Sequence, residues 1–207
     1  MLYLKAICAS LRAGAKPKIC KKRKIILIAD EIQGGLGRTG KIFAYKHYGV
    51  SPDIITSAKG LGSGIPIGAT IVKKEISQNI NIGFHGSTFG GGMLQTRVAY
   101  NVFKTINKTS FLKNVKSKGI LLEQLLNKLH SKHDLIKEVR IKGLMAGIEF
   151  KNSELALKIY KETSNHGLVT TLVKGTTIRI TPPLIIKSEE IKRGIKIISE
   201  CLDKIKN

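Results

Sequence analysis

The sequence predicts an α/β protein in two parts: a stretch of mostly parallel sheet with its ligand loops, then a smaller α+β domain. Three observations predict this. Short apolar, β-branched runs, Lys24–Ala29 and Asp53–Ser57, each lead into a polar or glycine-rich loop, as strands buried on both faces do. Glycine is concentrated in residues 25–100, which hold 14 of the 21. From Leu94 the apolar spacing changes to the helical period and then alternates helices with short strands.

The elements follow in order. Lys24–Ala29 is a buried parallel strand ending in Asp30 and Glu31, and Gly34–Gly40 is a glycine-rich loop. Phe43–Tyr48 is a short amphipathic segment. Asp53–Ser57 is a second strand, with Lys59 in the turn that leaves it. The loop Gly60–Gly68 closes on a strand at Ala69–Val72, and Phe84–Gly92 is again dense in glycine. Leu94–Ile106 and Phe111–His130 have helical spacing; in the second, Leu112, Val115, Ile120, Leu122, Leu125, Leu126 and Leu129 supply an apolar face. Strands are predicted at Ile136–Ile141, Leu144–Phe150, Leu168–Leu172 and Thr177–Ile180, and a helix at Ser153–Ser164. A last helix, Ser188–Lys206, starts with Ser188 as N-cap. Ligands of such sheets sit at the carboxyl ends of the strands, which is where Asp30 and Lys59 fall.

Charge tests a different reading. The 207 residues carry 36 Lys and Arg against 14 Asp and Glu, a formal +22. Residues 1–24 hold eight basic residues and no acid, residues 25–100 only a balance of +3, and residues 101–207 a balance of +11. Lysine outnumbers arginine 29 to 7. Specific phosphate and base recognition favours the planar guanidinium fork, and no stacking-aromatic strand or zinc-knuckle spacing is present. Specific nucleic-acid binding is therefore not expected, although salt-sensitive association is.

Three cysteines, Cys8, Cys20 and Cys201, without CxxC argue against a disulfide framework and against zinc, and point to a reducing, cytoplasmic compartment. The five histidines show no ligand spacing, so no metal is expected. No apolar stretch reaches membrane-spanning length, and the basic start lacks the apolar core of a signal peptide.

Two glycine patterns have the wrong context. Gly35–Gly40 fits G-x-G-x-x-G, and Gly35–Lys41 fits G-x-x-x-x-G-K. Four residues separate Asp30 from Gly35, no helix signal follows Lys41, and Ile42 stands where a phosphate loop needs Ser or Thr. A tight loop is the better reading. Asp30 reads either as a loop cap or as a buried anion awaiting a cation. Lys59, in the apolar and glycine-rich context Ser57-Ala-Lys-Gly-Leu, is expected to be sheltered; partial burial would favour its neutral, nucleophilic amine.

These residues also carry a resemblance. Leu27–Gln33, Gly37–Lys41, Phe43–Tyr45, His47–Val50, Pro52–Ile55 and Lys59–Gly62 are similar in register to the class III, ornithine-type, pyridoxal-phosphate aminotransferases. Pro66–Ala69, His85–Gly91, Glu138–Met145 and Ile178–Ile185 continue the match, with the nearest likeness to acetylornithine aminotransferases. The resemblance implies the C-terminal part of the fold-type-I large domain (residues 1–115) and the small C-terminal α+β domain (residues 116–207). It implies pyridoxal 5′-phosphate as cofactor and transamination between N-acetylornithine, or a related ω-amine, and 2-oxoglutarate. Lys59 would link to the cofactor aldehyde and shuttle a proton, and Asp30 would pair with the pyridine nitrogen. Ile32 would pack on the ring, and Gln33 would bond near its phenolic oxygen. Ser87 and Thr88 would hold the phosphate, on a loop that in this family serves the neighbouring subunit of a homodimer. Arg179 would grip the substrate carboxylate.

Three departures from the family pattern shape the expectation. Members are about twice this length, so the chain reads as the C-terminal half, with a separate N-terminal-half chain as a possible partner. Leu4–Cys8 and Lys21–Leu27 would join as one helix entering the first strand, and residues 9–20 between them read as an in-frame insertion. Gly92-Met93 replaces the usual Asn-Pro, and Gly34 the usual threonine. The alternatives are a non-catalytic remnant of a decayed aminotransferase gene and a basic nucleic-acid-binding module.

Overall fold

The computed structural model describes residues 6–8 and 17–206. They divide into two compact units between Leu112 and Lys113. In the first, four strands lie in the order β1 (Ala6–Cys8), β2 (Ile26–Asp30), β3 (Ile54–Ser57) and β4 (Ala69–Val72). The first three are parallel, and β4 is antiparallel to β3. The register opposes Asp30 to Thr56 and Ser57 to Ala69. Leu27 and Ala29 are buried, as expected of an apolar central strand. Asp53 ties the sheet together: its carboxylate accepts the Leu27 N–H at 2.9 Å and pairs with Lys73 at 2.8 Å. Burial opposes its ionisation, but these donors prevail and hold the carboxyl below its ordinary value.

Of the helix expected from Leu4–Cys8 and Lys21–Leu27, Leu4 and Lys5 lie outside the described residues, Lys21 and Lys22 do end a helix that leads into β2, and Ala6–Cys8 departs from the expectation. Ala6–Cys8 is a strand, because the edge of β2 offers it a hydrogen-bonding ladder. Of the proposed insertion, residues 9–16 lie outside the described residues, and its end belongs to helix α1 (Pro17–Lys22). Proline suits that first helical position, where no N–H is needed. A short helix not foreseen, α2 (Lys74–Ser77), follows β4. Helix α3 (Met93–Ile106) has Gly92 as its N-cap with no side-chain capping bond. No helix among the described residues is long and apolar enough to cross a membrane.

The second unit holds α4 (Thr109–Lys132, entering from residue 109), α5 (Ser153–Asn165), α6 (Ser188–Lys206) and an antiparallel sheet. Its strand order is β5 (Ile136–Lys142), β6 (Met145–Phe150), β8 (Thr177–Ile180), β7 (Thr171–Val173). Alternate residues of β6, namely Ala146, Ile148 and Phe150, are buried, so one face of the sheet carries the core. Leu122, Leu126 and Leu129 of α4, Ala156 and Ile159 of α5, and Ile191, Ile195, Ile198 and Leu202 of α6 are buried. Each large side chain of this set contributes about 1.5–3 kcal/mol by leaving water. Gly119 of α4 faces the β5–β6 turn so closely that a Cβ there would lie 2.7 Å from the Gly143 Cα.

Two boundaries differ from expectation. The strand predicted at Leu168–Leu172 begins only at Thr171. Leu168 gives its N–H to the Thr163 carbonyl at 2.9 Å, and Gly167, at φ +78°, gives its own to Ser164. Those bonds close the end of α5 as a Schellman motif and remove Leu168 from any ladder. Ser188 is the first residue of α6 rather than its cap; the Glu190 carboxylate instead accepts the Lys187 N–H at 2.7 Å.

Candidate active site

The carboxyl ends of β2 and β3 set out the candidate site. Asp30 ends β2 and Lys59 follows β3 after one residue, so neighbouring parallel strands deliver a carboxylate and an amine to one edge. Asp30 Oδ1 accepts the Ile32 N–H at 3.1 Å and the Thr56 hydroxyl at 3.5 Å. Lys59 opens a 3₁₀ turn, Lys59–Leu61, against which α3 packs. Its φ of +49° is left-handed. A side-chain-bearing residue pays roughly 1–2 kcal/mol there, and such outliers gather at functional sites. Its ammonium donates no hydrogen bond to the described residues.

Both groups are exposed. Of the two readings of Asp30, this agrees with the loop cap, since its carboxylate accepts the Ile32 N–H, while the exposure of Lys59 corrects the expectation that it is sheltered. Strand ends at the carboxyl edge open outward, and nothing among the described residues of this unit covers them. Ile32 is half-buried and Gln33 exposed on the loop that leaves β2.

That loop is shaped by Glu31. Its carboxylate is 3% exposed and accepts the N–H groups of Ala44 at 2.8 Å and Tyr45 at 2.7 Å. Burial pushes its carboxyl above the ordinary value, against the two backbone donors. Gly35 completes the turn, since a Cβ there would sit 2.5 Å from the Glu31 carbonyl oxygen. The G-x-G-x-x-G run is thus a tight loop from which no α-helix opens, as its context predicted; a 3₁₀ turn, Ala44–His47, follows it. Neither Glu31 nor Ser57 stood out in the sequence. The Ser57 hydroxyl is buried without a hydrogen-bond partner two residues before Lys59. A second carboxylate beside Asp30, and a serine ending an apolar strand, were the available signals.

Ser87 and Thr88 lie on a separate exposed turn, where the Gly90 N–H meets the Ser87 carbonyl at 3.0 Å. Arg179 lies in the second unit, on β8 between Gly147 of β6 and Thr171 of β7. It is half-buried and lines a cavity of about 330 Å³ with Thr170, Thr171, Pro182, Ile186 and Glu190. The structure therefore brings Asp30, Ile32 and Lys59 to one strand edge, while Ser87, Thr88 and Arg179 stand elsewhere in the chain. A carboxylate and an unpaired amine on adjacent strand ends form the donor set that a protonated pyridine bearing an aldehyde requires, so these residues fit that group.

Residues 11–202 match the family described as aminotransferase class-III. The chain is 43% identical over 189 residues to the acetylornithine aminotransferase of Caldanaerobacter subterraneus, covering 91% of this chain and 48% of that protein. The Bacillus subtilis acetylornithine aminotransferase is 39% identical, with the same coverage. Among solved structures, the ornithine aminotransferase of Plasmodium yoelii superposes with a TM-score of 0.85 at 36% identity, over 91% of this chain and 50% of that one. The acetylornithine aminotransferase of Elizabethkingia anophelis gives 0.84 at 34% identity, over 90% and 48%. The chain spans about half the length of the curated relatives it matches. Its fold is that of the later part of a fold-type-I aminotransferase, and the chain belongs to the class III aminotransferases.

Proposed function

We propose that the chain carries the lysine, the pyridine-facing carboxylate and the substrate arginine of a pyridoxal 5′-phosphate-dependent transamination. The reaction moves the amino group of N-acetylornithine, or a related ω-amine, to 2-oxoglutarate. One observation carries the reading: Lys59 is held in a left-handed conformation at the end of β3, beside the strand that ends in Asp30. The cofactor, when bound, supplies the electron sink for the substrate carbanion. Lys59 Nζ attaches the cofactor and moves the proton at the amino-bearing carbon. The Asp30 carboxylate keeps the pyridine nitrogen protonated by a charge-assisted hydrogen bond. Ile32 offers an apolar contact to the ring, and Gln33 a hydrogen bond near its phenolic oxygen. Ser87 and Thr88 receive the phosphate, and Arg179 takes the substrate α-carboxylate in its fork.

The exposure of Asp30 and Lys59 supports a site completed by further polypeptide, either an N-terminal-half chain or a second subunit of a homodimer. The exposed apolar run Ile82, Phe84, Phe89, Met93 and Leu94 supports the same view, since such patches usually meet a partner. The buried free thiols Cys20 and Cys201 suit the reducing cytoplasm.

The test is borohydride trapping on Lys59. The chain is mixed with pyridoxal 5′-phosphate, alone and with the N-terminal half of a related aminotransferase, then reduced and mapped by mass spectrometry. A phosphopyridoxyl group on Lys59 that is absent from Lys59→Ala is expected in the mixture. Its absence under both conditions overturns the reading.

A further inference from the structure

The second unit contains a cluster that transamination does not use. Glu162 lies on the last turn of α5 and His166 is the C-cap of that helix, four residues on and therefore on the same face. Cys201 lies on α6. A carboxylate oxygen of Glu162, a ring nitrogen of His166 and the Cys201 sulfur all lie within 4.8 Å of one another, the only such group among the described residues.

Three details make the group more than a coincidence of side chains. His166 Nδ1 is 2.8 Å from the Glu162 carbonyl oxygen, so Nδ1–H donates there and Nε2 keeps its lone pair. A backbone carbonyl on the far nitrogen is how ligating histidines are commonly oriented. Lys204 Nζ stands 3.2 Å from that Nε2 and 3.8 Å from Glu162 Oε1, so a cation already occupies the space between imidazole and carboxylate. Cys201 is 1% exposed, whereas the Glu162 and His166 side chains are 33% and 38% exposed, which leaves a way in from solvent.

We infer that Glu162, His166 and Cys201 form a binding site for a zinc-class divalent cation that braces the end of α5 against α6. Sulfur, imidazole and carboxylate together select a borderline-soft ion over magnesium or calcium. Bond lengths of about 2.0–2.3 Å leave the ligand atoms about 3.3–3.8 Å apart, so the site closes by roughly 1 Å on binding. The exposed side chains of Glu162 and His166 have the freedom to supply that movement. On binding, the Cys201 S–H bond breaks, a metal–sulfur bond forms, and the proton passes to buffer. The Lys204 ammonium leaves for solvent, and water takes the fourth position.

The experiment is a titration of the full chain with cobalt(II) alone, after chelator treatment and with a non-thiol reductant. A thiolate-to-cobalt charge-transfer absorption saturating at one equivalent, and reversed by zinc, is expected. Cys201→Ser should abolish it, and His166→Ala should weaken affinity about tenfold or more. Lys204→Met, which removes the competing cation, should strengthen it about tenfold. No absorption, or an undiminished one in Cys201→Ser, overturns the inference, the latter by assigning the band to another cysteine. His166 is on the surface, so its variant keeps the test open if Cys201→Ser does not fold: unchanged affinity in His166→Ala also overturns it.

Discussion

Glu31 does more to shape the loop beside the candidate site than Asp30, the carboxylate that the sequence brings forward. It is buried and accepts two backbone N–H groups that converge from residues 44 and 45. Glu31→Gln keeps one acceptor and turns an amide donor towards the other N–H. Leaving a buried donor unsatisfied costs about 1–3 kcal/mol, so the variant should unfold several degrees below wild type; an unchanged thermal midpoint would remove Glu31 from this role. The reason it was not legible is physical. Asp30 is read from its place at the end of an apolar run, but the work of Glu31 depends on where the chain returns thirteen residues later. The left-handed backbone of Lys59 was equally invisible, since its residue type gives no hint of it. Exposure was misjudged at Lys59 because apolar neighbours in sequence do not roof a strand end.

The strands and helices were easier to read than the residues. β2, β3 and β4 fall close to the expected runs, and α5 and α6 follow their apolar faces. What failed did so for lack of a local signal: β1 exists only through its ladder with β2, and Leu168 is taken by the end of α5. The β5–β6 pair shows how cross-strand charge adds to pattern. Glu149 of β6 accepts from Lys137 at 2.8 Å and from Arg140 at 2.5 Å, and Arg140 also bonds Glu138. The Lys137 ammonium first, and then the Arg140 guanidinium, pull the Glu149 carboxyl down to about 2, against an ordinary value of 4.5. A depressed folded-state value means that this stabilisation is present above about pH 4.5 and is lost as the pH falls towards 2. Urea midpoints measured from pH 7 down to pH 2 should therefore separate wild type from Glu149→Gln at neutral pH and converge at the acid end. A gap that stays constant across that window would show that Glu149 acts by shape and not by charge.

At the scale of the whole molecule, the +22 charge is distributed in a way that separates it from the site. The segment bearing Asp30 and Lys59 is near balance, and the surplus lies at the start and in the second half. Helix α4 shows the pattern: Lys113, Lys116, Lys128 and Lys132 are exposed, Lys118 is half-buried, and Glu123 is its only acid. Lysines spread around a helix present point charges at many angles, without the fork that reads a base edge. Polyanions should therefore bind this chain through counterion release alone. Fluorescence anisotropy with two duplexes of unrelated sequence should give equal affinities, both falling by about a thousandfold or more between about 50 and 200 mM salt. Replacing any one α4 lysine by glutamine should change the salt slope by less than about one unit, because no single lysine holds a fixed phosphate. Selectivity between the duplexes that survives the higher salt would overturn this account and return the lysine surplus to a recognition role.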